Sequence, residues 1–150
     1  MEITAQNLKE TEAIASDFVQ RLLKEEGGEV ATVVTLEGNL GAGKTAFVKG
    51  VADALGLEKE LVTSPTFVIQ KIYNLSNKTF SKLIHIDAYR FEKENEAHIL
   101  KLDSLFQDPH NLIFIEWPER IATHIPKNAK RISFEFIDES KRKIKLHESS

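Results

Sequence analysis

The chain has 150 residues, a formal net charge of −3, 29% charged residues and no cysteine. This length is typical of one domain, so we predict a single domain over residues 1–150. The lack of cysteine excludes disulfides, thiolate metal sites and cysteine nucleophiles, and it agrees with a reducing cytosol. A negative net charge argues against a protein that coats nucleic acid, and we expect no binding to DNA.

The hydropathy pattern shows no targeting or membrane segment. The first residues lack a basic stretch followed by an apolar one, so we expect no signal peptide. No apolar run reaches the length of about 18 residues that a membrane helix needs. We therefore expect a soluble, cytoplasmic protein with no membrane contact.

The first part of the chain alternates between helix and strand patterns. Apolar residues recur at near-helical spacing from Leu8 to Leu23, and Asn7 or Thr4 is the expected cap. Val30–Leu36 is short, apolar and β-branched, which predicts a strand buried on both faces. A glycine-rich loop follows, and Ala46–Leu55 predicts the next helix.

The middle of the chain contains mainly strand patterns. Phe67–Tyr73 predicts an extended segment. Phe80–Asp87 and Leu112–Ile115 are apolar and predict buried strands. Between these strands, Glu94–Phe106 predicts a helix that stops before Pro109.

The carboxyl-terminal part predicts a β-hairpin with one solvated face. Apolar residues alternate with polar ones at Ile132, Phe134, Phe136, Ile144 and Leu146. A turn at Asp138–Ser140 would join the two strands. The stretch Lys127–Lys145 is rich in lysine and arginine. We interpret it as an edge strand protected by charge, with a partner or RNA contact as the alternative.

Together these elements predict an α/β fold. Strands and helices alternate at first, and strands dominate later. This order favours a P-loop NTPase-like mixed sheet that is parallel at its centre, has antiparallel strands at its margin and carries helices on both faces.

The loop from Gly38 to Thr45 matches the phosphate-binding pattern G-x-x-x-x-G-K-[ST] in full, between a predicted strand and a predicted helix. Glycines let successive backbone N–H groups converge on one anion, and the helix N-terminus favours the same charge. We predict that Lys44 contacts the β- and γ-phosphates and that the Thr45 hydroxyl binds Mg²⁺. The predicted nucleotide-binding residues are Gly38, Asn39, Leu40, Gly41, Ala42, Gly43, Lys44, Thr45 and Ala46.

Two acids, Asp87 and Glu116, stand where predicted central strands end. Ligands of open α/β sheets bind at the carboxyl ends of strands, so both acids are expected on the edge that carries the phosphate loop. We assign Asp87 to Mg²⁺ and Glu116 to the attacking water, and the exchange of these two roles stays open. Glu116 is therefore also a candidate metal ligand. The alternative for each acid is an ordinary polar strand end.

Three further features have two interpretations each. The hydroxyl groups of Thr63–Thr66 are interpreted as contacts to Mg²⁺ or to phosphate. The alternative is that this segment is a plain turn around Pro65. His85 is interpreted as a packed or hydrogen-bonded strand residue rather than a base. Trp117 is interpreted as a core residue, with a nucleotide contact as the alternative. The histidines contain no pair with metal-ligand spacing.

Four motifs occur together in one order. They are Gly38–Thr45, Ser64–Thr66, the His-Ile-Asp-Ala-Tyr-Arg of 85–90 and the Glu-Trp-Pro-Glu of 116–119. Their combination resembles the TsaE (YjeE) family, small bacterial P-loop ATPases of tRNA threonylcarbamoyladenosine synthesis. The resemblance covers about Leu8 to Pro118. Many families share the first motif, whereas the last two are much more particular.

The resemblance implies ATP and Mg²⁺ as ligands, a cytoplasmic location and two protein partners, TsaB and TsaD. In this family TsaD with TsaB modifies the tRNA adenosine, so tRNA is reached through the complex, and TsaE supplies an ATPase activity that is weak without its partners. Carried onto this chain, Lys44 and Thr45 bind phosphate and Mg²⁺, Asp87 assists the metal and Glu116 serves hydrolysis. One departure is visible: the family often has a glycine where this chain reads Leu100-Lys101-Leu102.

Three other functions remain as alternatives. A GTPase needs an Asn-Lys-x-Asp motif, and the similar stretch at 77–80 lacks the aspartate. A small-molecule P-loop kinase usually closes an arginine-bearing lid over the phosphates, and no lid insertion is evident. A nucleotide-dependent regulatory binding module without significant turnover would share the phosphate loop, and a single-turnover measurement with and without partners separates it from an ATPase.

Overall fold

The computed structural model describes residues 1–25, 28–39, 42–58, 62 and 70–147, except for the side chain of Ile99. The helices and strands in this part of the chain are β1 (Glu2–Ala5), α1 (Leu8–Lys24), β2 (Thr32–Glu37), α2 (Lys44–Ala54), β3 (Gln70–Asn74), β4 (Lys82–Asp87), a 3₁₀ segment (Glu94–Leu100), α3 (Leu102–Gln107), β5 (Asn111–Glu116), a second 3₁₀ segment (Pro118–His124), β6 (Lys130–Phe136) and β7 (Arg142–His147).

The strands form one seven-stranded sheet in the order β1-β7-β6-β2-β5-β4-β3. The central strand β2 pairs in parallel with both β5 and β6, and β4 pairs in parallel with β5. The pairs β1–β7, β6–β7 and β3–β4 are antiparallel. The predicted mixed sheet, with a parallel centre and antiparallel margins, is confirmed.

Helical layers cover both faces of this sheet, as predicted. One core cluster joins the buried sides of α1 and α2 to Leu36, Phe114 and Phe134 of the sheet. The other cluster joins α3 and the two 3₁₀ segments to the opposite face. Every residue of β5 is buried. Parallel strands that are covered on both faces read as continuous apolar runs, which is why the central strands were visible in the sequence.

The helix α1 is stabilised by an N-terminal cap and by an apolar stripe along one side. The Asn7 Oδ1 atom accepts a hydrogen bond from the Glu10 N–H at 2.9 Å, so Asn7 rather than Thr4 is the cap. Ala15, Val19 and Leu22 then fall on the buried side. This stripe holds α1 against α2 on one face of the sheet.

The predicted continuous helix over Glu94–Phe106 is wrong. The chain forms a 3₁₀ segment up to Leu100, and α3 begins at Leu102. Between them Lys101 has a left-handed backbone, with φ 53°. A right-handed helix cannot continue through such a residue. This is the stretch in which the sequence departs from the glycine that the TsaE resemblance leads us to expect, and a glycine adopts this conformation more readily.

The edge strand β1 was not predicted. It has four residues, and its register sets Ile3 opposite Ile144 of β7. A strand this short carries little periodic signal, and its formation depends on a partner at the other end of the chain. The interpretation of Lys127–Lys145 as an edge strand is therefore wrong, because β1 covers β7 and β6 lies between β7 and β2.

Candidate functional site

The phosphate loop leaves β2 at Glu37 and enters α2, as its sequence pattern requires. Gly43 is the N-cap of α2, with φ 101°, a conformation that favours glycine. The helix begins at Lys44, two residues before the predicted start, so Lys44, Thr45 and Ala46 all lie in its first turn. The N–H groups of a first helical turn have no partner within the helix, which makes them donors for an anion. Leu40 and Gly41 lie outside the described residues.

The loop passes closely against the strands β6 and β7. A Cβ atom at Gly38 would lie 2.6 Å from the Phe134 carbonyl oxygen, so only glycine fits there without a shift. A Cβ atom at Gly43 would lie 3.5 Å from Cγ of Arg142. These neighbours could not be predicted from the sequence, because they depend on the pairing of β2 with β6 and of β6 with β7.

Lys44 is buried, with 4% of its surface exposed. Its Nζ atom donates to the Gly38 carbonyl oxygen at 2.6 Å and lies 4.0 Å from the ring centroid of Trp117. Burial lowers the pKa of Lys44, while the charges of Glu116 and Asp87 act in the opposite direction. The cation is thus largely withdrawn from water and faces the two predicted acids.

Asp87 and Glu116 lie side by side at the carboxyl ends of β4 and β5, where they are register partners. Asp87 is half-buried, and its Oδ1 accepts the Tyr89 N–H at 2.9 Å. Burial raises the pKa of Asp87, and the Tyr89 N–H opposes this shift. Glu116 lies two residues after Phe114, which belongs to the core cluster under α1 and α2, and Asp87 is its register partner, so both acids share the face of the sheet that carries the phosphate loop.

A buried histidine contacts Glu116. The Nε2 atom of His85 lies 2.5 Å from Oε2 of Glu116, and the His85 side chain is fully buried. Within the described residues, the Nδ1 atom of His85 has no hydrogen-bond partner. With Glu116 ionised, Nε2 carries the hydrogen and fixes one carboxylate oxygen. The sequence indicated a packed or hydrogen-bonded His85, but it did not identify this partner.

An aromatic pair borders the acids. Trp117 has a left-handed backbone, with φ 57°, and its ring lies 4.9 Å from that of Tyr89. Non-glycine residues seldom adopt this conformation, and it recurs at binding sites. Trp117 is half-buried and also packs against the core, so its ring belongs to both the core and the site.

Magnesium fits the oxygen donors of this site. The described residues contain no cluster of three or more histidines and carboxylates that would hold a metal by itself. Mg²⁺ is usually held by one or two protein oxygens, phosphate oxygens and water, and not by an all-protein cage. The Thr45 hydroxyl and the Asp87 carboxylate suit this mode. The predicted contribution of Thr63–Thr66 concerns a segment that lies outside the described residues.

The family profile described as threonylcarbamoyl adenosine biosynthesis protein TsaE matches residues 5–144. This chain belongs to the TsaE family. It is 38% identical over 138 residues to TsaE of Bacillus subtilis, which covers 92% of the chain and 79% of that relative. It is 32% identical over 148 residues to TsaE of Aquifex aeolicus, which covers 97% of the chain and 95% of that relative.

A solved structure supports the same assignment. The crystal structure of YdiB from Bacillus subtilis superposes with a TM-score of 0.75 at 30% identity, over 100% of this chain and 86% of the other. The P-loop NTPase fold predicted from the sequence is therefore confirmed, as is the resemblance to the TsaE family. Membership supports the predicted role in tRNA threonylcarbamoyladenosine biosynthesis. None of the helices within the described residues combines the length and apolarity that a bilayer crossing requires.

Proposed function

We propose that this chain binds ATP with Mg²⁺ and hydrolyses it in support of threonylcarbamoyl modification of tRNA adenosine. The observation that carries the proposal is the meeting of three groups on one face of the sheet: the buried Lys44 and the carboxylates of Asp87 and Glu116. Phosphoryl transfer needs a phosphate-binding cation, an oxygen ligand for the metal and a group that positions water. These three residues supply those functions.

Binding of the triphosphate begins at the loop. The backbone N–H groups from Gly38 to Thr45 and the first turn of α2 surround the phosphates. Lys44 exchanges its contact with the Gly38 carbonyl oxygen for a phosphate oxygen, which satisfies its buried charge more fully. Thr45 and Asp87 would hold Mg²⁺, which neutralises negative charge on the phosphates when it is bound.

Hydrolysis requires a water molecule in line with the bond between the β-phosphate oxygen and the γ-phosphorus. Glu116 accepts a hydrogen bond from this water through the carboxylate oxygen that His85 does not occupy. A bond forms between the water oxygen and the γ-phosphorus, the bond to the β-phosphate oxygen breaks, and a proton of the water passes to Glu116. Lys44 stabilises the charge on the phosphates as this happens.

The proposed partners are TsaB and TsaD, through which the activity would reach tRNA in the cytoplasm. The TsaE family supports this assignment, since its role lies in threonylcarbamoyladenosine biosynthesis. We expect slow turnover by the isolated protein, because the TsaE resemblance implies an ATPase that works with these partners. A partner that fixes the attacking water or adds positive charge would raise the rate.

ATP turnover by the pure protein, and then with TsaB and TsaD present, tests the proposal. We expect turnover to rise with the partners and to vanish in Lys44→Ala. Binding of Mg²⁺-ATP without turnover, in the presence of both partners, would make the protein a nucleotide-dependent binding module and would remove the catalytic role of Glu116. No binding of Mg²⁺-ATP would overturn the nucleotide site as well.

A further inference from the structure

Two short turns follow the strands that carry the candidate acids. Residues 88–91, here the β4 turn, come directly after Asp87, and residues 117–120, here the β5 turn, come directly after Glu116. The N–H of Ala88 donates to the Glu116 carbonyl oxygen at 3.0 Å and extends the pairing of the two strands by one residue. Within the described residues, no other backbone hydrogen bond joins the two turns, so side chains must hold them together.

Arg120 of the β5 turn reaches back to the β4 turn. Its Nη1 atom donates to the Phe91 carbonyl oxygen at 3.2 Å, and its guanidinium carbon lies 5.4 Å from the centroid of the Tyr89 ring. Its backbone N–H donates to the Trp117 carbonyl oxygen at 3.1 Å, which fixes the point where the side chain starts. A guanidinium combines several donors with a flat cationic face, and an ammonium group does not. Arg120 thus contacts the β4 turn at two points.

The β4 turn determines how the Asp87 carboxylate is oriented, because the Tyr89 N–H donates to Asp87 Oδ1 at 2.9 Å. The Phe91 side chain is buried and anchors the far end of the turn, whereas Tyr89 is 41% exposed. The donor to Asp87 therefore belongs to a residue that the core holds only in part. Arg120 contacts the ring of this residue and the carbonyl oxygen at the anchored end, so it restrains the exposed part of the turn.

We propose that Arg120 is a positioning residue for Asp87. The inference rests on the proposed function, in which Asp87 holds Mg²⁺, and it adds the residue that keeps this ligand in place. Arg120 restrains the β4 turn, the turn presents the Tyr89 N–H, and this N–H sets the direction of one carboxylate oxygen. Outer partners of a metal ligand orient it in this way and strengthen metal binding. Within the described residues, the contacts of Arg120 include neither Lys44 nor the phosphate loop, so its loss is expected to act on the metal and not on the phosphates.

Calorimetric titration of the whole protein with AMP-PNP, an ATP analogue that is not hydrolysed, tests this proposal in Mg²⁺ and in excess EDTA. The ratio of the dissociation constants in EDTA and in Mg²⁺ is the metal gain. We expect Arg120→Ala to lower the metal gain by on the order of tenfold, as loss of an outer partner does at other metal sites, and to leave the dissociation constant in EDTA unchanged. Arg120→Lys keeps a donor and the charge, and it is expected to recover part of the metal gain. Because Arg120 is exposed, neither replacement is expected to disturb the core.

Lys127→Ala is the matched control, since it removes one exposed cation that lies beyond the second 3₁₀ segment, and it is expected to keep the wild-type metal gain. An unchanged metal gain in Arg120→Ala overturns the positioning role while leaving the nucleotide site intact. Equal weakening in EDTA and in Mg²⁺ overturns it too, because it indicates a general loss of structure. If Arg120→Ala does not fold, Arg120→Lys decides by the same two criteria. A wild type that shows no metal gain, or that does not bind AMP-PNP, overturns the proposed function itself.

Discussion

The two sides of the phosphate loop differ in burial. On the side of β4 and β5, Glu116 and His85 are buried, in contact with each other, and surrounded by the core. On the side of β6 and β7, Phe136 and Arg142 lie at an exposed hairpin end, although they also contact each other. A reacting group must be held in one orientation, which burial and a fixed hydrogen bond achieve. The hairpin end lacks such burial, since more than half of the Phe136 surface is exposed.

This difference predicts which substitutions affect rate and which affect binding or stability. A change among the buried groups is expected to affect the chemical step, because it alters the orientation of a group that contacts the reactants. A change on the exposed side is expected to affect ligand affinity or to have little effect. The predictions below test this contrast.

Glu116→Gln is expected to give the largest effect. The variant keeps the shape of the side chain and removes the charge that accepts the water proton. We expect kcat for ATP hydrolysis with TsaB and TsaD to fall by about 10²- to 10⁴-fold, the usual contribution of a general base, and the dissociation constant of Mg²⁺-ATP to change little. Steady-state turnover and calorimetric titration measure the two quantities.

Glu119→Gln provides the control for this prediction. Glu119 is an exposed carboxylate whose charge also acts on Lys44, and it lies three residues beyond Glu116 in the chain. We expect it to retain most of the wild-type turnover. Wild-type turnover in Glu116→Gln, or an equal loss in both variants, would contradict the assigned role of Glu116.

His85→Leu is expected to lower kcat by about tenfold with little change in ATP affinity, because one carboxylate oxygen of Glu116 loses its fixed donor. His85→Gln places a side-chain N–H near the position of Nε2 and is expected to recover most of the rate. A merely structural role would affect both variants through stability and would change kcat and affinity together. If His85→Gln is as slow as His85→Leu, the hydrogen bond is not what positions Glu116.

Much of the fold followed from local patterns in the sequence. The buried parallel strands are continuous apolar runs, and α1 shows its cap and its stripe. The features that were not predicted depend on contacts between distant residues or on an unusual backbone conformation. The strand β1 forms because it pairs with β7. The break between the 3₁₀ segment and α3 depends on the left-handed backbone of Lys101, which the spacing of apolar residues does not indicate.

The features of the candidate site also divide into those that the sequence predicts and those that depend on contacts between distant residues. The phosphate loop and the two acids follow from a contiguous motif and from the rule that ligands bind at the carboxyl ends of strands. The contact of His85 with Glu116 requires the register of β4 against β5. The proximity of Arg142 to Gly43 requires β6 to pair with β2 and β7 to pair with β6. Such contacts between distant parts of the chain leave no periodic signal in one sequence.

Gly38→Ala tests how closely the loop is fitted to the β6 side. Gly38 has φ 150°, and an added Cβ atom would lie 2.6 Å from a backbone oxygen of Phe134. We expect the free energy of unfolding to fall by about 2 kcal/mol, because the backbone of one segment must shift. In a chain of this length that lowers Tm by roughly 5 °C. Gly28→Ala is the control, since its added Cβ atom would meet nothing closer than 3.9 Å. Equal melting temperatures for the two variants would show that the loop tolerates the displacement.

Arg131→Gln is expected to have the smallest effect. It removes an exposed ion pair, which can be compared with the buried contact between His85 and Glu116. Arg131 on β6 forms a two-bond ion pair with Glu37 at the end of β2, at 3.1 and 3.2 Å, but the Arg131 side chain is 54% exposed. Because water and salt screen such a pair, we expect its loss to change the free energy of unfolding by less than about 1 kcal/mol in urea denaturation, and by less still at high salt. His85→Leu, which leaves the buried Glu116 without this donor, is expected to cost more, about 1–3 kcal/mol. A larger loss in Arg131→Gln than in His85→Leu would mean that burial does not set the strength of these two contacts, and the contrast between the two sides of the loop would then need another cause.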